Sequence, residues 1–305
     1  MSKRGRAQTI MEYAAARSLI SGMGILPGKL AVGVSSAMGR VTYRGSSKLR
    51  SVGERNLALA FPALDEQERS RILRGVFINL GRQLSVFSHL SKMSREDVCA
   101  LVDCEGMENL EAAKEKGRGV ILVTGHLGAW EMTSFALSAF GHPLSFLVRR
   151  IDNPMVERLV ERMRTRFGNR TIDKRSAGRA MLKVLHAGET LGLLIDINTT
   201  ASEGIFVDFF DEPAATTFLM AKLALRTGAD VIPVFAPWEE ERKRFVLRIG
   251  SPLKIERTGN EAEDVRLLTQ LATRAVECHI RRYPDQWLWI HKRWRTRPEG
   301  EPDIY

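Results

Sequence analysis

The sequence predicts an α/β fold, a mostly parallel central sheet flanked by helices, with a helical segment at the N-terminus that associates with membranes. From about residue 118 onward, short apolar runs alternate with longer amphipathic segments, a pattern typical of parallel strands joined by helices. The chain has 305 residues, of which 44% are hydrophobic and 27% charged. This composition excludes collagen-like, low-complexity and wholly disordered proteins.

Residues 10–43 contain two short apolar segments separated by a Pro-Gly break. Residues 11–24 predict a helix, Pro27 and Gly28 interrupt it, and residues 30–38 resume an apolar run. Each segment is too short to span a hydrocarbon layer of about 30 Å. The pair is either a helical hairpin that enters one leaflet or an ordinary hairpin of the core. We therefore predict two parts, a membrane-associating segment over residues 1–50 and an α/β domain over 51–305.

The α/β domain opens with helices and continues with alternating strands and helices. Residues 53–93 predict helices with a break at Phe61-Pro62. Beyond them the pattern predicts strands over 120–124, 144–148, 190–195, 205–210, 231–235 and 244–249 and helices over 129–140, 155–167, 176–187, 217–226 and 261–283.

The net charge of +10 is concentrated at the two ends of the chain. Residues 1–50 hold nine Lys and Arg against one acidic residue, Glu12, and residues 279–297 hold six against Asp285. Such ends predict an anionic partner (a membrane surface, phosphates or an acidic protein) or simply a solubilising surface. The C-terminal basic residues are mixed with Tyr283, Trp287, Trp289 and Trp294. Basic and aromatic residues together are typical of nucleic-acid binding and of membrane interfaces.

The three cysteines predict neither a metal centre nor a disulfide framework. They lack the spacing of metal ligands and are too few for a disulfide scaffold; they are Cys99, Cys104 and Cys278. An odd number of thiols fits a reducing compartment. We expect the chain to need no metal ion and no bound cofactor.

The residues that carry chemistry follow the predicted strand over 120–124. There His126 lies between Gly125 and Gly128, and a helix begins near Ala129. Ligands of open α/β sheets bind outside the carboxyl ends of strands, and glycines permit a tight turn close to a substrate. Glu131 follows in the first turn of the helix. A carboxylate there is expected to reach one imidazole nitrogen, fix its tautomer and stabilise the imidazolium.

This pattern favours His126 as a general base in a one-step transfer. The turn contains no Ser or Cys, so a covalent enzyme intermediate is disfavoured. A positioned base of this kind contributes about 10²–10⁴ in rate. The alternative is structural, with His126 capping the turn and Glu131 stabilising the helix N-terminus through the helix dipole.

Four stretches resemble the late acyltransferases of lipid A biosynthesis, which belong to the wider lysophospholipid and glycerol-phosphate acyltransferase superfamily. Residues 125–131, GHLGAWE, resemble the GHxGNWE block, with Ala129 in the place of Asn. Residues 56–62, NLALAFP, resemble the NLxxAFP segment. Residues 204–210, GIFVDFF, resemble GVFVDFFG, with Asp211 replacing the last Gly. Residues 283–298 resemble the closing YPxQWxWxHRRFxTRP segment.

The resemblance implies acyl transfer at the cytoplasmic face of the inner membrane. The donor would be a thioester of acyl carrier protein, or acyl-coenzyme A, and the acceptor a hydroxyl of an acylated sugar phosphate. His126 and Glu131 map onto the catalytic pair of the family, and residues 51–305 would form the acyltransferase domain. Both an acidic carrier protein and an acceptor with phosphates complement basic ends.

Other readings of the function remain open at this point. The acceptor is alternatively a lysophospholipid or another membrane lipid. If the protein is not an enzyme, the alternative is a basic protein that binds membranes or nucleic acid. We nevertheless expect no nucleic acid as a partner.

Five further residues are candidates for substrate binding. Arg149 and Arg150 follow a strand at the same edge as His126, where they would hold a phosphate or stabilise an oxyanion, or simply be solvated. Arg164 lies on a helix and faces either solvent or substrate. Asp196 ends the strand over 190–195 and would orient Arg149, contact a substrate group or cap a helix. Asp208 lies between apolar neighbours and needs a partner if it is buried.

Overall fold

A computed structural model of the protein describes residues 5–174 and 177–305. Two basic residues of the N-terminal cluster, Lys3 and Arg4, lie outside the described residues. Ser176, where the sequence predicts the start of a helix, also lies outside them.

The N-terminal segment forms two helices with the predicted break between them, but they pack on the body of the protein and not on each other, so the predicted hairpin is wrong. Helix α1 (Arg6–Ile25) and helix α2 (Gly28–Gly45) are separated by Leu26 and Pro27. Proline has no backbone N–H to continue the ladder of the first helix, and its fixed φ suits the start of the next. Within residues 5–174 and 177–305, no helix combines the length and apolarity needed to cross a bilayer.

Each of these two helices packs one face on the body of the protein. Helix α3 (Ser47–Ala60) leads into helix α4 (Glu66–Leu90), along which α2 lies. The backbones touch at glycines: a Cβ on Gly39 would lie 2.2 Å from the carbonyl oxygen of Phe77. The other side of α1 and α2 is exposed to solvent. The exposed large apolar side chains of the two helices are Ile10, Met11, Leu19, Ile25, Leu30, Val34, Met38 and Val41.

The central sheet is mostly parallel, as the sequence predicts. Its strands lie in the order β1-β10-β8-β2-β5-β3-β4, with β9 paired to β10, and the exceptions to parallel pairing are the β10–β8 and β10–β9 contacts. The strands are β1 (Val102–Glu105), β2 (Val120–Thr124), β3 (Ser145–Val148), β4 (Arg170–Asp173), β5 (Thr190–Leu194), β8 (Asp230–Phe235), β9 (Trp238–Glu239) and β10 (Arg244–Ile249).

Helices cover both faces of the sheet and bury two apolar cores. The helices are α5 (Arg95–Leu101), α6 (Met107–Glu115), α7 (Trp130–Ala139), α8 (Pro154–Arg164), α9 (Ala177–His186), α10 (Leu219–Thr227) and α11 (Glu261–Arg282). Side chains of β2 alternate between the two cores, with Leu122 facing α7 and Ile121 facing α9 to α11. A strand buried on both faces is typical of a parallel sheet.

A separate hairpin corrects one sequence-based prediction. Strand β6 (Gly204–Phe209) pairs antiparallel with β7 (Glu212–Thr217), so the helix expected from 217 begins only at Leu219. The turn between the strands places Phe210 and Asp211 at φ values of 55° and 60°. Two-residue turns of this kind are usually marked by Asn-Gly or Asp-Gly. The Phe-Asp pair gives no such signal, so the sequence does not indicate β7.

Candidate active site

The register of two central strands brings the candidate residues together. β2 and β5 are adjacent and parallel, with Thr124 opposite Leu194. The residues that follow each strand therefore leave the sheet side by side at its carboxyl edge. A Cβ on Gly125 would lie 3.1 Å from the Asp196 carboxyl carbon, so glycine allows the two segments to approach closely.

His126 is held by the carboxylate of Asp196. Its ring Nδ1 lies 2.9 Å from Asp196 Oδ1, and its backbone N–H donates to Oδ2 at 2.6 Å. Trp287 Nε1–H donates to the same Oδ2 at 2.7 Å. An ionised carboxylate only accepts hydrogen bonds, so the proton lies on Nδ1. In the neutral ring Nε2 is then the unprotonated nitrogen, and it has no hydrogen-bond partner in the described parts of the chain.

Opposed effects set the pKa values of this pair. Burial alone would lower the pKa of His126, but the charge and hydrogen bond of Asp196, with a smaller contribution from Glu131, raise it above the usual value. Burial would raise the pKa of Asp196, whereas the charge of His126 and the hydrogen bonds from its ring, its backbone and Trp287 lower it. The carboxylate therefore stays ionised and stabilises a charged imidazole.

Glu131 does not contact the imidazole, and this corrects the expectation that it fixes the ring. Arg164 Nε lies 3.1 Å from Glu131 Oε2, and a second guanidinium nitrogen bonds Oε1. Trp130, the neighbour of Glu131, packs against the ring of His126 with centroids 5.1 Å apart. The guanidinium offers Glu131 a bidentate, charge-assisted partner that a single ring nitrogen cannot match.

A cavity of about 190 Å³ extends from His126 into the layer between α7 and the sheet. Its charged residues and its histidine are at least partly exposed: His126, Glu131, Arg149 and Arg164. Its buried lining is mainly apolar, with Leu122, Leu137, Leu144, Phe146 and Val234, and it also includes the hydroxyl residues Thr124, Thr133 and Ser134. The cavity is therefore open beside the imidazole and apolar at depth, a shape suited to a ligand with a polar head and a hydrocarbon chain.

The model of the family described as bacterial lipid A biosynthesis acyltransferase matches residues 6–296. The chain belongs to this family. A lipid A biosynthesis acyltransferase of Haemophilus influenzae is 26% identical over 85% of this chain and 80% of its own. The lipid A biosynthesis lauroyltransferase of Escherichia coli K12 is 26% identical over 92% and 90%, and the myristoyltransferase is 24% identical over 94% and 87%. The protein is accordingly an acyltransferase.

The remaining predicted binding residues of this family member lie in different places. Arg149 is exposed and lines the cavity. Arg150 follows it but pairs with Asp173, with its Nε 3.0 Å from Oδ2. Asp208 is exposed, and its backbone N–H donates to Gln270 Oε1 at 2.8 Å; it does not line the cavity. A role for Arg150 and Asp208 in substrate binding stays a prediction.

The C-terminal segment of the acyltransferase hydrogen-bonds the loop that carries His126. The sequence did not indicate this contact. Leu288 N–H donates to the carbonyl of His126 at 3.1 Å, and Gly128 N–H donates to the carbonyl of Gln286 at 3.0 Å. Trp287 supplies the third bond to Asp196. Three C-terminal tryptophans are fully buried: Trp287, Trp289 and Trp294. Their interpretation as a nucleic-acid or membrane interface is therefore wrong.

Two further C-terminal side chains lie near the site, one partly buried and one fully buried. His291 accepts at Nε2 from the backbone N–H of Asn198 at 3.0 Å. Arg293 is wholly buried and donates to the carbonyl of Ala215 at 2.8 Å. Burial lowers the pKa of Arg293 to about 10, although the charge of Asp196 opposes this. Across residues 5–174 and 177–305, no group of three His, Cys, Asp or Glu side chains is arranged to hold a metal ion.

Proposed function

We propose that the protein transfers a fatty acyl chain from a thioester, with acyl carrier protein as the favoured donor, to a hydroxyl of a lipid A precursor. The observation that carries this proposal is the position of His126, at the open polar end of a cavity whose depth is apolar. The relatives named for lauroyl and myristoyl transfer support a fatty acyl group as the cargo.

In the proposed mechanism His126 is the general base. Nδ1 is committed to Asp196, so Nε2 takes the proton of the acceptor hydroxyl as its oxygen attacks the thioester carbonyl carbon. The tetrahedral oxyanion then collapses, the C–S bond breaks, and the imidazolium returns the proton to the leaving thiolate. Asp196 stabilises the imidazolium between these steps. A single transfer step is favoured because no Ser or Cys within the described residues hydrogen-bonds the ring.

Cationic side chains at the mouth are proposed to bind the negative groups of the reaction. Arg149, which is exposed and lines the cavity, is proposed to stabilise the oxyanion. The backbone N–H groups of Gly128 and Ala129 are less suitable, because they already donate to the carbonyls of Gln286 and Ala236. We infer that Glu131 contributes in two ways: it holds Arg164 for a substrate phosphate, and its charge raises the pKa of His126.

The uncovered faces of helices α1 and α2 are proposed to dock on the cytoplasmic leaflet of the inner membrane. Basic residues accompany their exposed apolar side chains and would add about 1 kcal/mol each near an anionic surface; they include Arg17, Lys29, Arg40 and Arg44. Helix α1 contacts α8, the helix that carries Arg164, since Asn153 Nδ2, at the start of α8, donates to the carbonyl of Thr9 at 2.9 Å. This arrangement would present the cavity mouth to lipid acceptors.

Transfer assays with defined donors and acceptors test the proposed function. The purified protein is incubated with acyl carrier protein or coenzyme A thioesters and with either an under-acylated lipid A precursor or a lysophospholipid. We expect mass spectrometry to show the precursor gaining one acyl group from acyl carrier protein, faster than from coenzyme A. Acylation of the lysophospholipid alone would support the alternative acceptor, and acylation of neither lipid would contradict the proposal.

Charged substitutions on α1 and α2 test whether their exposed faces bind membranes. Ile25 and Val41 are 74% and 67% exposed. The double variant Ile25→Glu, Val41→Glu is expected to lower partitioning to anionic vesicles at least tenfold, because each lost apolar insertion costs about 1.5–3 kcal/mol. Ala112→Glu, which adds one acidic residue at an exposed position of α6, is the control and should bind as the wild type does. Unchanged flotation of the double variant with the vesicles would exclude this surface.

A further inference from the structure

We propose that Leu144 limits the length of the acyl chain, because it separates the cavity beside His126 from a second cavity at the opposite edge of the sheet. The inference rests on the proposed function. The second cavity has a volume of about 390 Å³, and its lining includes Lys114, Arg170 and Thr190. Leu144 lines both cavities.

The two cavities lie along one strand and on one face of it. Thr190, the first residue of β5, lines the second cavity, whereas Gly192 and Leu194, on the same face, line the first together with Leu193 of the other face. Alternate residues of a strand point to the same face, and each such step covers about 6–7 Å. A chain that extends from His126 past Gly192 therefore points towards Thr190.

The side chain of Leu144 closes this path at Gly192. A Cβ built on Gly192 would lie 2.8 Å from Leu144 Cδ1 and 3.3 Å from Phe146 Cβ. Leu144 thus occupies the space that the missing side chain leaves. Its backbone is fixed, since its N–H donates to Asn169 Oδ1 at 3.1 Å and its carbonyl accepts from the N–H of Arg170 at 3.0 Å. The Leu144 side chain, on an anchored backbone, is therefore the part of the wall that lines both cavities.

The far cavity has room and an opening for a longer chain. Its lining includes exposed Arg170, which pairs with Glu189, and Lys114. Thr190 Oγ1 is buried and has no hydrogen-bond partner within the described residues, so no bond has to break when the wall is removed. Shortening Leu144 is expected to join the two spaces into one passage.

The test compares acyl chains of increasing length on three variants of the full chain. Leu144→Ala is expected to raise transfer of chains two to four carbons longer than the wild-type optimum, relative to that optimum, by about tenfold or more. Gly192→Ala should lower the same ratio, because its Cβ crowds the passage against Leu144. Leu191→Ala, on the same strand but in the core of the opposite face, is the matched control and should leave the ratio unchanged.

Each outcome decides between the inference and the proposed function. A folded, active Leu144→Ala with the wild-type chain preference overturns the inference and leaves acyl transfer standing. A wild-type protein that transfers no chain of any length overturns both. If Leu144→Ala fails to fold, Leu144→Val removes less of the wall and should shift the preference in the same direction. No shift in either Leu144→Val or Gly192→Ala would then count against the inference.

Discussion

Replacing His126 by Ala is expected to lower the rate constant for acyl transfer by about 10²–10⁴-fold, the usual contribution of a positioned general base. The variant loses the nitrogen that accepts the proton of the hydroxyl, while the acyl cavity remains. Its fold should persist, because the backbone N–H of residue 126 and Trp287 Nε1–H still donate to Asp196. The measurement is steady-state transfer with a saturating acyl thioester, together with circular dichroism and vesicle binding.

A second histidine provides the control for this experiment. His186 is exposed at the end of α9 and does not line the cavity, so His186→Ala should keep the wild-type rate. Both variants should bind anionic vesicles equally. A full transfer rate in His126→Ala would refute the assignment of the general base to this residue.

The substitution Asp196→Asn is expected to lower transfer by up to about 10⁴-fold, with little change of shape. An amide removes the charge that stabilises the imidazolium and no longer dictates which ring nitrogen carries the proton. The pH profile should also move. The base must be neutral to act, so wild-type activity falls as the pH drops through the raised pKa of His126. Without the Asp196 charge that pKa is lower, and the acid limb of kcat/KM should shift to lower pH.

Glu131→Gln provides the matched comparison, since it also exchanges a carboxylate for an amide beside the cavity. It breaks the ion pair with Arg164 but leaves the contact between His126 and Asp196. Misplacement of a binding group costs about 10²-fold, and the acid limb should move less than in Asp196→Asn. A larger shift of the acid limb in Glu131→Gln than in Asp196→Asn would show that Glu131 governs the ring during the reaction.

The local part of the site could be predicted because it is contiguous in sequence. An apolar strand, a glycine-flanked histidine and a helix start lie within residues 120–131, and the fold places them as expected. The ring partner could not be predicted in the same way. Asp196 reaches His126 because β5 pairs with β2, although several elements separate these strands along the chain. The available signal was a carboxylate directly after a second buried strand.

The C-terminal aromatic residues show why composition alone misleads. A run of tryptophans among basic residues is compatible with nucleic acid, with a membrane and with a core. Here this segment packs at the carboxyl edge of the sheet. Its backbone hydrogen-bonds the His126 loop, and Trp287 donates a hydrogen bond to Asp196. The two N-terminal helices were more predictable, since Pro27 ends one apolar helix and precedes another, although their lack of mutual packing was not. Their division into one packed and one exposed face depends on α4 and needed the structure.

The protonation state of the His126 ring tests the central claim most directly. The full-length protein is labelled with ¹⁵N-histidine, and His126→Ala identifies the relevant signals. Above the pKa of His126, the account predicts a protonated Nδ1 and an unprotonated Nε2, with this preference lost in Asp196→Asn. A proton on Nε2 in the wild-type protein would contradict the claim, since that nitrogen would then have no lone pair to receive the hydroxyl proton.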